Sequence, residues 1–317
     1  MSRVVVLGGT GFVGRSVCER LFEHGHGGGR IVVPTRRAGH GNWIRSLPTV
    51  DLLHADVHDD AQLARLLPGA DAVVNLIAIL HGKPDAFRKV HVDLPRRLAA
   101  LCKQAGVRRL VHVSALGVGP GAPSDYLQSK TEGEAVLQAA GLDLTLLRPS
   151  VIFGAEDRFL NLFAKLQSLA PLIPLAGSDA KFQPVWVEDV ATAVVRCIDQ
   201  RDSIGKTYEL TGPDVYTLSE LVAAAGRWSG NERTQIALPS ALGALQAGFM
   251  ELLPGEPLMS RDNLKSMQVP NVASGSLPGL ADLGIQAHAL VAIAPPYLGD
   301  RYAAARMNQW RAAHRGD

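Results

Sequence analysis

Tyr126 and Lys130 stand four positions apart in Tyr126-Leu127-Gln128-Ser129-Lys130. On a helix that spacing puts phenol and ammonium on one face, a turn apart. A phenol titrates at about 10, and a neighbouring cation favours the phenolate, bringing the group toward proton exchange at neutral pH. Ser114, twelve positions before the tyrosine, is placed to hold a substrate oxygen. A surface Tyr-Lys pair has the same spacing, so the set gains its meaning from a second one at the other end of the sequence. Gly8-Gly9-Thr10-Gly11-Phe12-Val13-Gly14 spaces its glycines as G-x-x-G-x-x-G, directly after Val4-Val5-Val6-Leu7. A diphosphate that must lie against the backbone at a helix N-terminus requires such a loop, with Gly8, Thr10, Gly11, Phe12, Val13 and Gly14 as its contacts. A purely structural tight turn is the alternative.

Further candidates follow from what a dinucleotide needs. The second strand should end in an acidic residue if the adenosine ribose carries free hydroxyls; the sequence there reads Val33-Pro34-Thr35-Arg36-Arg37. Two guanidiniums suit a 2′-phosphate, which favours NADP(H) over NAD(H), with a solvated basic loop as the alternative. Asp56 could accept from an adenine amino group while Val57 packs on the ring, or Asp56 could cap the helix beginning near Asp60. Asn75 to Leu80, with Ala78 at its centre, offers an apolar wall and a backbone rim.

These residues need strands that end together and helices that start there. From residue 1 to about 150, short β-branched runs alternate with helical patterns, predicting a doubly wound parallel Rossmann sheet of the α/β class. The strands expected are Val4 to Leu7, Arg30 to Val33, Val50 to His54, Ala72 to Leu76, Leu110 to Ser114 and Leu142 to Leu147. After Pro149 a run of Gly and Pro breaks the alternation. Val185 to Ile198 reads as a strand entering a helix that returns to the main sheet. The expected organisation is a cofactor-binding domain over 1–150 plus about 185–211, with a smaller irregular C-terminal cap from about 151–184 and 212–317.

The combined motifs resemble the short-chain dehydrogenase/reductase superfamily, in particular its extended or atypical branch, over nearly the whole chain. Leu147-Arg148-Pro149-Ser150-Val151-Ile152-Phe153-Gly154, Glu156-Asp157-Arg158-Phe159 and Val185-Trp186-Val187-Glu188-Asp189-Val190-Ala191 are similar to bacterial relatives of the accessory NADPH-binding subunit of respiratory complex I. The resemblance implies Tyr126 as general acid/base, Lys130 binding the nicotinamide ribose and lowering the tyrosine pKa, Ser114 orienting the reacting oxygen, and Pro149, Ser150 and Val151 lining the nicotinamide. It implies an oxidoreductase or epimerase acting on a small molecule. A cofactor-loaded, catalytically silent subunit attached to a membrane respiratory complex is the second expectation, with Ile236 to Leu253 as its docking segment. The short Gly- and Pro-rich stretch between Ser114 and Tyr126 argues against a UDP-sugar substrate.

Composition closes off other classes. Apolar residues make up 47% and charged residues 20% of 317 residues, as in ordinary globular chains. A net charge of +2 gives no electrostatic reason to bind nucleic acid. Cys18, Cys102 and Cys197 are too scattered for a disulfide framework or a metal site, so no metal is expected and a reducing cytoplasm fits. No run reaches the ~20 apolar residues of a membrane span. The expected location is cytoplasmic, or peripheral to the inner membrane if the second expectation holds.

Overall fold

The computed structural model describes residues 3–37, 39, 43–252 and 259–301. It divides into two compact units. The first takes the described residues of Met1–Pro149 with Val187–Leu210 and Ser274–Gln286; the second takes those of Ser150–Trp186, Thr211–Ala273 and Ala287–Asp317.

The first unit is built on the strands β1 (Arg3–Leu7), β2 (Arg30–Thr35), β3 (Val50–His54), β4 (Ala72–Asn75), β5 (Arg109–Val113) and β6 (Asp143–Pro149), joined by Thr207–Leu210. The seven strands lie in the order Thr207–Leu210, β6, β5, β4, β1, β2, β3. Every pairing is parallel. A parallel sheet buries both faces, and the strands accordingly read as near-continuous apolar runs instead of alternating: Val4 to Leu7, Val32, Val33, Val73, Val74, Leu110 and Val111 are all buried. Pro34 is tolerated within β2 because it lies beyond the last residue of β2 paired with β1, Val32 opposite Val5.

The crossover helices are α1 (Phe12–His24), α2 (Asp60–Leu66), α3 (Pro84–Arg88), α4 (Leu94–Gln104) and α5 (Asp125–Gln138), and the helix Val187–Asp199 follows them. Leu63, Leu66, Leu94, Leu98 and Cys102 bury one face of the sheet with Val5, Leu7 and Val73. On the other, α1 packs with Val187–Asp199, through apolar stripes that include Val17, Leu21, Val190 and Val194. A π-helical turn, Lys89–Asp93, runs between α3 and α4.

The sheet differs from expectation at its edge. Val185–Trp186 does not return to it, but pairs in the second unit with Ile152–Phe153. Only two residues separate Pro184 from the next helix, too few for a sheet strand. The edge is Thr207–Leu210 instead, which leaves Val187–Asp199 by a short turn and pairs with Leu146 to Pro149. Ser274–Gln286, expected in the cap, belongs to the first unit, where Ser274 donates to Glu209 from both its N–H and its hydroxyl.

The second unit packs the helices Leu160–Leu169, Leu218–Ser229 and Leu290–Arg301 around a core with Phe153, Leu160, Phe163, Leu221 and Leu298. Thr217 and Glu220 form a reciprocal capping box at the start of Leu218–Ser229. A parallel pair, Leu172–Ala176 with Thr234–Leu238, leads into the helix Ser240–Leu252. Among the described residues no helix is long and apolar enough to cross a membrane.

Candidate functional site

Strand order reverses between β1 and β4, the place where open α/β sheets bind ligands. Leu7 pairs with Asn75 there, so the glycine run after β1 and the segment after β4 emerge side by side. Gly8 takes φ +84°, and a Cβ on it would press on Leu76 and Ile77. Gly11 is the N-cap of α1 and offers no side chain to the first turn, which holds no carboxylate. The first N–H groups of a helix have no partner within it and carry the positive end of its dipole. At Gly14 a Cβ would overlap the Gly8 carbonyl oxygen and the Gly9 backbone. Helix and loop are therefore seated as closely as backbones allow, leaving an anion cradle free of side chains. This cradle fits the diphosphate bridge of a dinucleotide.

Thr35 is buried and accepts from the Arg37 N–H at 3.2 Å, turning the chain so that Arg36 and Arg37 stand exposed beyond β2. Asp59, not Asp56, caps α2, accepting from Ala61 and Gln62. Asp56 makes the turn before it, accepting from the His58 N–H at 2.9 Å. Val57 is buried among the core side chains.

At the end of β4, Asn75 is buried and works in two directions. Its amide donates to His112 Nδ1 at 3.1 Å and its carbonyl oxygen accepts from Ile77 N–H at 3.2 Å. Ala78 is exposed at the rim this creates.

Ser114 follows β5 and is held by its N–H donating to the Leu147 carbonyl at 2.7 Å. The residue is 4% exposed, and its buried hydroxyl has no hydrogen-bond partner among the described residues. Ser124 caps α5, accepting from Leu127 N–H, and the helix then carries Tyr126 and Lys130. The Lys130 ammonium is buried and donates to the carbonyl of Val113, next to Ser114, at 3.0 Å. Burial pushes its pKa down to about 8, against the pull of Glu134 one turn on. Glu134 is itself buried and clamped by Arg148 through two bonds of 3.0 and 2.5 Å. Burial pushes the Tyr126 phenol up to about 12. This departs from the expected lowering by Lys130: the cost of desolvating a phenolate sets the shift.

Pro149 ends β6 and its carbonyl accepts from Leu116 N–H at 3.0 Å. Ser150 and Val151 belong to the second unit, where both donate to the Asn271 side chain, at 2.6 and 2.9 Å. The structure thus brings Gly8–Gly14 beside the rim at Ala78, and Ser114 beside Lys130. His91, Glu134 and Asn271 were not singled out in the sequence, and Arg148 stood there only within a longer motif; the Glu134-Arg148 pair links a helix to a strand and has no local spacing signal. Among the described residues no cluster of His, Cys, Asp and Glu could hold a metal ion, and all three cysteines are buried.

This arrangement of parallel sheet, glycine cradle and strand-end hydroxyl defines a Rossmann-type dinucleotide-binding protein. The chain belongs to the NAD dependent epimerase/dehydratase family, whose model matches residues 4–211. It is 33% identical over 288 residues to NADH dehydrogenase [ubiquinone] 1 alpha subcomplex subunit 9, mitochondrial, of Mus musculus, covering 89% of this chain and 75% of that protein. It is 30% identical over 251 residues to ceramide reductase of Caulobacter vibrioides, covering 78% of this chain and 76% of the relative. Among solved structures, the NADPH-dependent quinone oxidoreductase of Escherichia coli complexed with NADPH superposes with a TM-score of 0.75 at 23% identity, covering 93% of this chain and 99% of that one.

Proposed function

We propose that the chain is an NADP(H)-dependent oxidoreductase of small molecules, with Ser114, Tyr126 and Lys130 as its reacting set and reduction of a carbonyl as its favoured direction. The observation that carries this is the Ser114 hydroxyl: buried, without a partner among the described residues, and next in sequence to the carbonyl that receives Lys130. An orphaned buried hydroxyl costs on the order of 1–3 kcal/mol, a cost a bound substrate oxygen removes.

The bound coenzyme would rest its diphosphate on Gly8, Thr10, Gly11, Phe12, Val13 and Gly14, its 2′-phosphate near Arg36 and Arg37, its adenine near Asp56 and Val57, and its nicotinamide toward Ala78, Lys130 and Pro149; it supplies or accepts the hydride. Tyr126, raised to about 12, keeps its proton at neutral pH and releases it only to an oxygen that is gaining negative charge. Ser114 donates to the same oxygen and orients it. Lys130, at about 8, is mostly charged at pH 7 and stabilises that charge.

Replacement of Tyr126 by Phe should abolish carbonyl reduction while calorimetry finds coenzyme affinity unchanged; unchanged turnover would remove Tyr126 from this role. Mass spectrometry of the native protein identifies the retained nucleotide, and NAD(H) alone would overturn the assignment to Arg36 and Arg37.

A second reading is a cofactor-loaded subunit docked on a respiratory membrane complex, located at the inner membrane and not free in the cytoplasm. The helix Ser240–Leu252 favours it. Leu242, Leu245, Phe249 and Leu252, spaced by three and four residues, are 52% to 83% exposed, while small Gly243 and Ala247 face inward. Leu253, the end of the expected docking segment, lies outside the described residues. Exclusive recovery away from membranes, with Leu245→Glu behaving like the parent, would eliminate this reading.

A further inference from the structure

His91 lies in the π-helical turn Lys89–Asp93 and is 2% exposed. A π turn inserts a residue into a helix and re-aims the side chains there, and such turns are frequent at functional sites. Here it directs His91 between the rim after β4 and the helix that carries Tyr126. Nε2 accepts from the Ile79 N–H at 3.2 Å. The neutral ring therefore carries its proton on Nδ1, which donates to Ser129 Oγ at 2.8 Å. The Ser129 hydroxyl in turn donates to the Tyr126 carbonyl at 2.7 Å. The ring stacks on Phe87, 5.6 Å between centroids, and meets the Tyr126 ring edge-on at 5.5 Å. The backbone of His91 is gripped as well: a Cβ at Gly133 of α5 would overlap its carbonyl oxygen.

We infer that His91 is a positioning residue for the nicotinamide half of the coenzyme, a clamp that fixes the backbone rim at Ile79 to the first turn of α5 and so sets the distance across which Tyr126 works. Asn75 secures the same rim at Ile77, and His91 secures it two residues further out. Both ring nitrogens are occupied, so His91 does not exchange protons with a substrate. Burial and the Lys130 charge hold its pKa down to about 3, which keeps the ring in the neutral form that the two hydrogen bonds require.

This role rests on the coenzyme reading above, and two ligands separate their failures. NADPH spans the groove, whereas adenosine 2′,5′-bisphosphate occupies only the half near Arg36 and Asp56. Replacing His91 by Phe keeps the ring and its stacking but removes both hydrogen bonds. It should weaken NADPH about tenfold, as expected for loss of the one bond that reaches the rim at Ile79, and leave the bisphosphate within about twofold. His91→Asn, which retains a donor and an acceptor, should recover most of the loss. Ring-nitrogen NMR of the parent protein should find a neutral His91 protonated on Nδ1, whatever the variants do to folding. Unchanged NADPH affinity in His91→Phe, equal weakening of both ligands, or a ring protonated on Nε2 would each overturn the clamp while leaving the coenzyme site intact. A parent protein that binds neither ligand would overturn the coenzyme reading, and with it the role given to His91.

Discussion

Ser114, Tyr126 and Lys130 draw their properties from burial more than from one another. A lysine whose folded pKa is about 8 is charged below that value at the expense of stability, because the unfolded chain holds the same proton up to about 10.4. Between these two values the unfolded state binds more protons, so the Lys130 contribution to stability rises with pH. Lys130→Met should therefore be more stable than the parent at pH 7, on the order of 2 kcal/mol after allowing for the lost bond to Val113. That advantage should fade as pH climbs through the window. Denaturation midpoints of both proteins from pH 7 to about 10.5 would check it, and a constant difference would show that Lys130 is not desolvated as described. The spacing of Tyr126 and Lys130 was legible in the sequence because a helix translates four positions into one face. The order of their pKa values was not, since it depends on what covers them. His91 was illegible for another reason: only a π turn aims it at Ile79 and Ser129, and nothing in Lys89-Val90-His91-Val92-Asp93 distinguishes such a turn from an ordinary helical one.

Among elements, the junction of β1, glycine loop and α1 has the least room for change. Gly14→Ala must force the helix off the loop, because the obstructing atoms belong to Gly8 and Gly9 backbone that no side-chain movement relieves. Overpacking of this kind costs about 1–3 kcal/mol. Here it should also turn the first N–H groups of α1 away from the diphosphate, so coenzyme affinity should fall further than stability does. Calorimetry and thermal melts on the same preparation compare the two; an alanine variant with parental affinity would show that the cradle is not the binding surface. The strands of the parallel sheet were readable as apolar runs with helical patterns between them. Val185–Trp186 was expected to return to the main sheet, and Thr207–Leu210 was not recognised as one of its strands. Two β-branched or aromatic residues look alike wherever they stand; only the length of connecting chain and the available partner, β6 or Ile152–Phe153, distinguishes them.

Across the whole molecule, the first unit is assembled from three separate stretches of chain. Residues up to Pro149 supply six of its strands, but β6 has its second neighbour only when Thr207–Leu210 is present. The apolar face contacted by Val187–Asp199 also lacks its cover until then. A fragment ending at Pro149 should accordingly expose an open strand edge bearing Leu144, Leu146 and Leu147 and collect in the insoluble fraction; a soluble fragment with a cooperative melt would show that the later stretches are dispensable. The same dependence applies during synthesis. A ribosome adding roughly 5–20 residues per second takes several seconds to travel from the end of β6 to its missing neighbour. For that interval the nascent chain carries a nearly finished sheet with one raw margin, and a chaperone that recognises exposed strands has a defined moment at which to act.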